Sequence, residues 1–383
     1  MAIAGLCNFL NLYTPQSILP TLADTFNVAP ARTGLTITAP LVAVALVAPF
    51  VGTISDMLGR KRLIVSAMTV LIVPTLLAAS AQNFEWMLVW RFLQGLCLPF
   101  IFAVAVGYIG DECRGAAGVR AAGNYALGTI FGGFAGRFIA GIAADFVGWR
   151  AAFALIAVLT ALGAGFVAVV LPRERNFSPL RGGARATLGA YVAHLSNARL
   201  LATCGVGFGM LFVNVAVFTF VNFYLAAPPF GLTPGQLGMV FVVYLLGMVT
   251  TPISTGLVLR IGRRTTIAIA IVLSAIGLAL TLVPALAAAI AGLACMCGGL
   301  FVVQTLSLGY IAATVRRATS TAVGLYVTSF YIGGALGGIV PAAVWQARGW
   351  PGVVLLMLAL LAAMLALAAM FWHEGAEQRR GVS

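Results

Sequence analysis

Arg91 and Arg137 each interrupt a long apolar stretch of the 383-residue chain. A charge in such a place is expensive and is usually kept for a functional reason. Two uses follow from the chemistry: proton coupling through an ion pair that breaks and re-forms, or contact with an anionic cargo. For Arg91 a third reading stands beside them, because it lies only a turn or two from the start of its stretch and can snorkel to the interface. All nine carboxylates, Asp24, Asp56, Glu85, Asp111, Glu112, Asp145, Glu174, Glu374 and Glu377, fall in links or at helix ends. Proton carriers commonly use a buried carboxylate that desolvation makes easier to protonate, and none occupies the middle of an apolar stretch here. If protons couple, the groups left are Asp111 and Glu112 at one end of the fourth stretch, or Glu85 and Asp145 in a charge switch with Arg91 and Arg137. The same inventory leaves a permanent cation without a buried counter-charge, so neutral or anionic cargo is expected.

Uncharged polar residues break the apolar stretches at Asn8, Asn11, Gln16, Gln94, Asn124, Asn214, Asn222, Tyr244, Gln304, Tyr326 and Tyr331. As a set they describe a neutral, weakly polar cavity for a small molecule. Taken singly, each serves equally well as a helix-to-helix hydrogen bond. His194 and His373 lie in a polar link and in the tail, so no metal site is expected, and nothing calls for a cofactor. A primary pump would need a G-x-x-x-x-G-K-S/T phosphate loop, which does not occur, and an intramembrane enzyme would need clustered ligands or a nucleophile beside a base. The six cysteines, Cys7, Cys97, Cys113, Cys204, Cys295 and Cys297, read as small core residues without metal or disulfide spacing. A transport-inactive sensor or scaffold fits the same inventory, and a substrate-flux assay separates it from a carrier.

Composition dictates the frame that must hold these residues. Of the chain 62% is hydrophobic and 8% charged, against about 25% charged in soluble domains. Crossing a bilayer core takes about 20 apolar residues per helix, and stretches of that length follow one another from Met1 to Trp372. Backbone groups in lipid must be satisfied internally, and long non-alternating runs exclude a barrel, so the fold is all-α. Breaking the chain at charged and Pro/Gly-rich links predicts twelve helices near 2–20, 33–54, 63–81, 86–109, 120–143, 150–171, 199–224, 236–258, 265–283, 286–313, 320–345 and 351–372. The one long polar link divides them into two six-helix bundles, 1–171 and 199–372, joined by a cytoplasmic loop at 172–198 and followed by a tail at 373–383. No cleavable signal peptide is evident, since Met1 opens into an apolar segment without a basic region.

The net charge of +13 reports topology rather than nucleic-acid binding, because the basic residues sit in the links. With both termini in the cytoplasm, seventeen of the 22 lysines and arginines are inside and only Arg32, Arg150 and Arg348 outside, as the positive-inside rule requires. The expected address is therefore a membrane. The halves also echo each other. Gly132-Gly133, Gly136 and Gly148-Trp149 recur 201 residues later as Gly333-Gly334, Gly337 and Gly349-Trp350, and Gly52 with Gly59-Arg60-Lys61 recurs as Gly256 with Gly262-Arg263-Arg264. Several echoes in order indicate an internal duplication.

Between the second and third stretches, Gly52, Asp56, Gly59, Arg60, Lys61 and Arg62 make a pattern that resembles the G-x-x-x-D-x-x-G-R-K/R signature of the major facilitator superfamily. Gly52 permits close helix approach and Gly59 a tight turn. Asp56 sits at a helix C-terminus, where an acid is disfavoured unless a cation or another helix's N-terminus compensates it. The resemblance implies a cytoplasmic gate that locks an outward-open state; a static topology anchor is the plainer alternative. In the second half Arg260 replaces the acid, so that latch should be absent or weaker there. Trp90-Arg91-Phe92-Leu93-Gln94-Gly95 resembles a second motif of the family. The glycine-rich run Gly128 to Gly141 is similar to its antiporter motif, with Gly136-Arg137 where the family has Gly-Pro. Its glycines, at spacing four, are explained by helix packing alone. With Tyr13-Thr-Pro-Gln16-Ser-Ile-Leu-Pro20, these segments resemble the bacterial efflux branch that contains arabinose-efflux and multidrug permeases. That implies a secondary transporter working by alternating access, with proton-coupled efflux of drugs, sugars or metabolites as the first expectation. Organic-anion uptake or exchange through Arg91 and Arg137 is the second. The resemblance also implies a bacterial inner membrane, with lipid, a small molecule and protons as partners and a monomer as the assembly.

Overall fold

The computed structural model describes residues 1–113, 115–174, 189, 192–315 and 319–372, with the backbone alone at Thr53, Asp56, Thr319 and Ser320. Arg114, the link residues Arg175, Arg181 and Arg185, the pair Arg316 and Arg317, and the tail from His373 with Glu374, Glu377, Arg379 and Arg380 lie outside the described residues, as does the side chain of Asp56.

Among the described residues, twelve long helical segments are threaded as two bundles of six. The first bundle holds α1 (Ala2–Tyr13, a 3-10 turn Thr14–Ile18, then Leu19–Phe26), α2 (Pro30–Phe50 continuing as Val51–Leu58), α3 (Arg60–Ala79), α4 (Phe84–Glu112), α5 (Gly115–Phe146) and α6 (Trp149–Val170). The second holds α7 (Ala198–Ala226), α8 (Pro234–Ile261, with a 3-10 turn Phe241–Leu245), α9 (Arg263–Leu280), α10 (Leu286–Thr314), α11 (Thr319–Gly337) and α12 (Pro341–Phe371). Ten of these are long and apolar enough to cross a membrane by composition; α1, interrupted by its 3-10 turn, and the shorter α11 complete the set. Large apolar side chains such as Val169 and Leu259 are more than four-fifths exposed, facing what would be lipid.

Three boundaries depart from the expectation, each for a local reason. Pro15 and Pro20 cannot donate to the helix ladder, so α1 tightens into a 3-10 turn and extends beyond residue 20. Pro49 does the same to α2 at Ala48–Phe50. Pro341 and the glycine pair before it end α11 at Gly337 instead of 345, and α12 begins at Pro341 with a break at Gly349, where φ is +59°.

The duplication seen in the sequence becomes a repeated contact. A Cβ on Gly132 would overlap the carbonyl of Leu6, and one on Gly136 that of Leu10, so α5 lies backbone to backbone on α1. A Cβ on Gly333 would overlap the carbonyl of Phe208, and one on Gly337 that of Phe212, which places α11 on α7 in the same way. Without a hydrophobic force between helices in lipid, such close approach is what dispersion packing requires. The basic turns repeat as well. Gly59 and Gly262 adopt φ of +84° and +80°, which aims Lys61 at the carbonyl of Leu171 at the end of α6 and Arg264 at the carbonyl of Ala369 near the end of α12, 2.5 Å away in the second case. Each cation thus meets the negative end of a helix.

The two bundles touch at one end and part at the other. At the end opposite the basic turns, Gly34 lies against the carbonyl of Gly338, Gly141 against that of Pro234, and the Thr38 hydroxyl donates to the carbonyl of Ala335 at 2.9 Å. At the basic end Gly52 and Gly256 are exposed, with no atom within 4 Å of where a Cβ would stand. The close approach expected at Gly52 is therefore not made in this conformation.

Candidate functional site

Between the bundles lies a cavity of about 340 Å³, walled by α1, α5, α7, α8, α10 and α11. Of the residues expected there, Asn214, Tyr244, Gln304 and Tyr331 line it. Phe9, Tyr13, Thr129, Phe301, Thr305 and Phe330, which the polar inventory passed over, stand beside them with aliphatic residues such as Ile130, Met210 and Leu308, in a wall that is largely apolar and partly aromatic. Asn8, Asn11, Gln16, Gln94, Asn124, Asn222 and Tyr326 do not line it. Asn124 is exposed at the start of α5, Asn222 turns back to the carbonyl of Phe218 within its own helix, and Asn8 is fully buried with neither side-chain atom hydrogen-bonded. No acid lines the cavity among the described residues.

Arg91 is fully buried and does not snorkel. Its Nε donates to the carbonyl of Thr36 at 2.9 Å, Nη1 to the carbonyl of Asn11 at 2.9 Å and to Gln94 Oε1, and Nη2 to the carbonyl of Leu12 at 2.5 Å. Four residues after Thr36 stands Pro40, and four after Asn11 stands Pro15, so both carbonyls lack the N–H that a helix would have supplied. The guanidinium replaces these missing donors and ties α4 to α1 and α2. Gln94 continues the network, its amide donating to Thr75, whose hydroxyl donates to Asn11 Oδ1, while Asn11 Nδ2 reaches Thr160 at 2.7 Å. This is a satisfied structural knot. The expected pairing of Arg91 with Glu85 or cargo is not seen: Glu85 accepts from Arg32 at 2.8 Å, and Arg91 does not line the cavity.

Arg137 is equally buried but is bound differently. Its guanidinium carbon stands 4.0 Å from the ring centroid of Tyr13, 4.2 Å from that of Tyr244 and 4.8 Å from that of Phe241. Its Nε donates to Gln16 Oε1 at 2.7 Å and Nη1 to the carbonyl of Gly133 at 2.5 Å. Nη2 has no partner, and no carboxylate pairs with it among the described residues. Asp145, the acid expected to switch with it, instead accepts from the Thr233 hydroxyl at 2.8 Å and the Gly235 N–H at 2.9 Å, capping the first turn of α8 from the opposite bundle.

At the basic end Arg60 pairs with Asp111 at 2.5 Å within the first bundle. Lys61, Arg62, Arg173 and Glu174 line a surface cleft, and Glu112 lies in the last turn of α4. The gate role of Asp56 rests on its side chain, which lies outside the described residues.

A duplicated twelve-helix chain with a cavity between its halves invites comparison with known carriers. The sequence pattern of the Major Facilitator Superfamily matches residues 1–228 and, again, residues 207–383. The chain belongs to this superfamily. Among relatives of this facilitator, the inner membrane transport protein YnfM of Escherichia coli (strain K12) is 28% identical, covering 95% of this chain and 87% of its own length. An uncharacterized transporter of Buchnera aphidicola subsp. Schizaphis graminum is 26% identical over 95% of this chain and 89% of that protein. In fold, a bacterial homologue of the human lysosomal transporter Spinster, solved in an inward-facing and occupied conformation, superposes with a TM-score of 0.77 at 15% identity, over 97% of this chain and 94% of that one. The nucleoside transporter NupG gives a TM-score of 0.79 at 16% identity, over 96% and 99%. This facilitator is thus a multi-pass membrane transporter, not an enzyme.

Proposed function

We propose that this facilitator exports a small neutral or anionic molecule across the bacterial inner membrane by alternating access, driven by inward proton flow and acting as a monomer. The observation that carries the reading is the cavity lined by both bundles, with contacts between them at one end and open space at Gly52 and Gly256 beside the basic turns. The positive-inside rule makes that open end cytoplasmic, with both termini on the same side, so the conformation described is the one that loads cargo from within. The efflux direction is supported by the resemblance of the α1 and α5 segments to export permeases. The acid-free cavity wall argues against a permanently cationic cargo. Proton handling falls to the acids at helix ends, Asp111 beside Arg60 and Asp145 on the first turn of α8, and the latch role of Asp56 remains part of the proposal.

Flux decides it. Proteoliposomes loaded with a cargo identified by thermal shift in detergent should transport it faster under an imposed pH gradient. Flux indifferent to the gradient removes the proton, and absence of flux with any bound cargo removes the carrier reading. Sidedness has its own test, since Cys113 follows α4 at the basic end and is partly exposed. A membrane-impermeant maleimide should label it in inverted vesicles and leave it unlabelled in intact cells; the reverse pattern overturns the topology.

A further inference from the structure

We propose that Arg137 and Gln16 form a docking point for the carboxylate of a small, largely apolar organic anion, and that occupying it loosens one of the contacts between the two bundles. The inference rests on the carrier reading above and names its cargo class.

Two hydrogen-bond donors stand unsatisfied on side chains that are bonded to each other. Arg137 Nη2 and Gln16 Nε2 are both buried without partners, while Arg137 Nε and Gln16 Oε1 are joined at 2.7 Å, which fixes the orientation of the amide. Buried polar atoms normally find partners, so each such exception calls for a reason. Here both exceptions are donors, one of them on a cation with no carboxylate paired to it among the described residues. An acceptor bearing negative charge is the chemistry that completes the pair, and a carboxylate offers two oxygens to a guanidinium's fork.

The position fits a ligand coming from the cavity. Tyr13 and Tyr244, which sandwich the guanidinium, and Gly133, whose carbonyl it binds, all line the cavity wall. Arg137 and Gln16 are themselves fully buried behind this wall, so the ligand reaches them by displacing the wall side chains. Around the docking point the cavity is aromatic, through Phe9, Phe301, Phe330 and Tyr331, which suits an apolar or aromatic body. The volume of about 340 Å³ sets the body as small.

Charge then couples binding to conformation. Arg137 belongs to α5, whereas Tyr244 and Phe241 belong to α8 in the opposite bundle, so the cation-π contact bridges the halves. A desolvated contact of this type is worth up to about 2 kcal/mol, and it depends on the positive charge. An anion on Arg137 neutralises that charge and weakens the hold on α8.

The test is a thermal-shift titration of the whole protein in detergent with benzoate and with benzamide, which differ in charge and little in shape, at matched ionic strength. Benzoate should give a saturable upward shift at least tenfold more potent than benzamide's. Arg137→Gln should erase the difference and Arg137→Lys should retain part of it. Should Arg137→Gln fail to fold, Gln16→Glu carries the test: its built-in carboxylate should stabilise the protein without ligand and remove the response to benzoate. Equal potency of the two probes, no saturable shift with benzoate, or an undiminished benzoate response in Gln16→Glu overturns the docking point. Because binding is read without transport, benzoate recognition without flux of any cargo would sink the carrier reading alone, and flux without anion preference would sink this inference alone.

Discussion

Arg91→Ala is expected to lose the fold of the first bundle before it loses any step of transport. The guanidinium satisfies the carbonyls of Thr36 and Asn11, whose usual helical donors are replaced by Pro40 and Pro15. With the side chain gone, both carbonyls stay buried and unpaired, at about 1–3 kcal/mol each, and α4 loses its tie to α1 and α2. Several kcal/mol is a large share of a stability of roughly 5–15 kcal/mol. Arg91→Lys keeps a cation and some bonds but not the planar fork that reaches two helices at once, so it should fold with a lower melting temperature. The decisive measurement is rescue. Pro40→Ala returns an N–H to the Thr36 carbonyl, and in the Arg91→Ala background it should recover at least part of the lost melting temperature. If Arg91→Ala melts like the parent, or if transport vanishes in a protein of unchanged stability, Arg91 acts on cargo or protons after all.

Arg91 also shows where the sequence was legible and where it was not. An arginine inside an apolar stretch announces itself, but its use depends on what meets it across two other helices. A signal was present in Asn11 and Thr36 standing four residues before prolines, and only the fold reveals that one guanidinium reaches both. The glycines read differently. Their spacing of four and their recurrence 201 residues later point to close packing by themselves, whereas the partners, α1 for α5 and α7 for α11, are seen only in the fold. Of the eleven polar cavity candidates four stand on the wall, because a polar residue in a membrane helix gains as much from a neighbouring helix as from a ligand. The rest of the wall is apolar and partly aromatic, and such residues in apolar helices carry no mark that separates cavity from core.

Asp145→Lys is expected to move the population away from the conformation described here. The Asp145 carboxylate accepts from the Thr233 hydroxyl and the Gly235 N–H, at the N-terminus of α8, where the helix dipole favours negative charge. It belongs to α5, so these bonds join the bundles at their closed end. Because Asp145 is exposed, solvent and salt reduce the contact to roughly 1 kcal/mol. Lysine removes that attraction and sets a cation against unpaired N–H groups, doubling the change to about 2 kcal/mol, or close to thirtyfold in an equilibrium. Folding should survive, since no buried group is orphaned. Spin labels at Phe146→Cys on the first bundle and Ala227→Cys on the second, both exposed near the closed end, report the separation by pulsed electron resonance. The parent should show one short distance, and the Asp145→Lys protein a second, longer one at low salt that recedes as ionic strength rises. Asp145→Asn, which still accepts hydrogen bonds without the charge, should fall between them. A single unchanged distance in Asp145→Lys would mean that Gly34 on Gly338 and Gly141 on Pro234 hold the end shut by packing alone, leaving the carboxylate as a cap with no part in the gate.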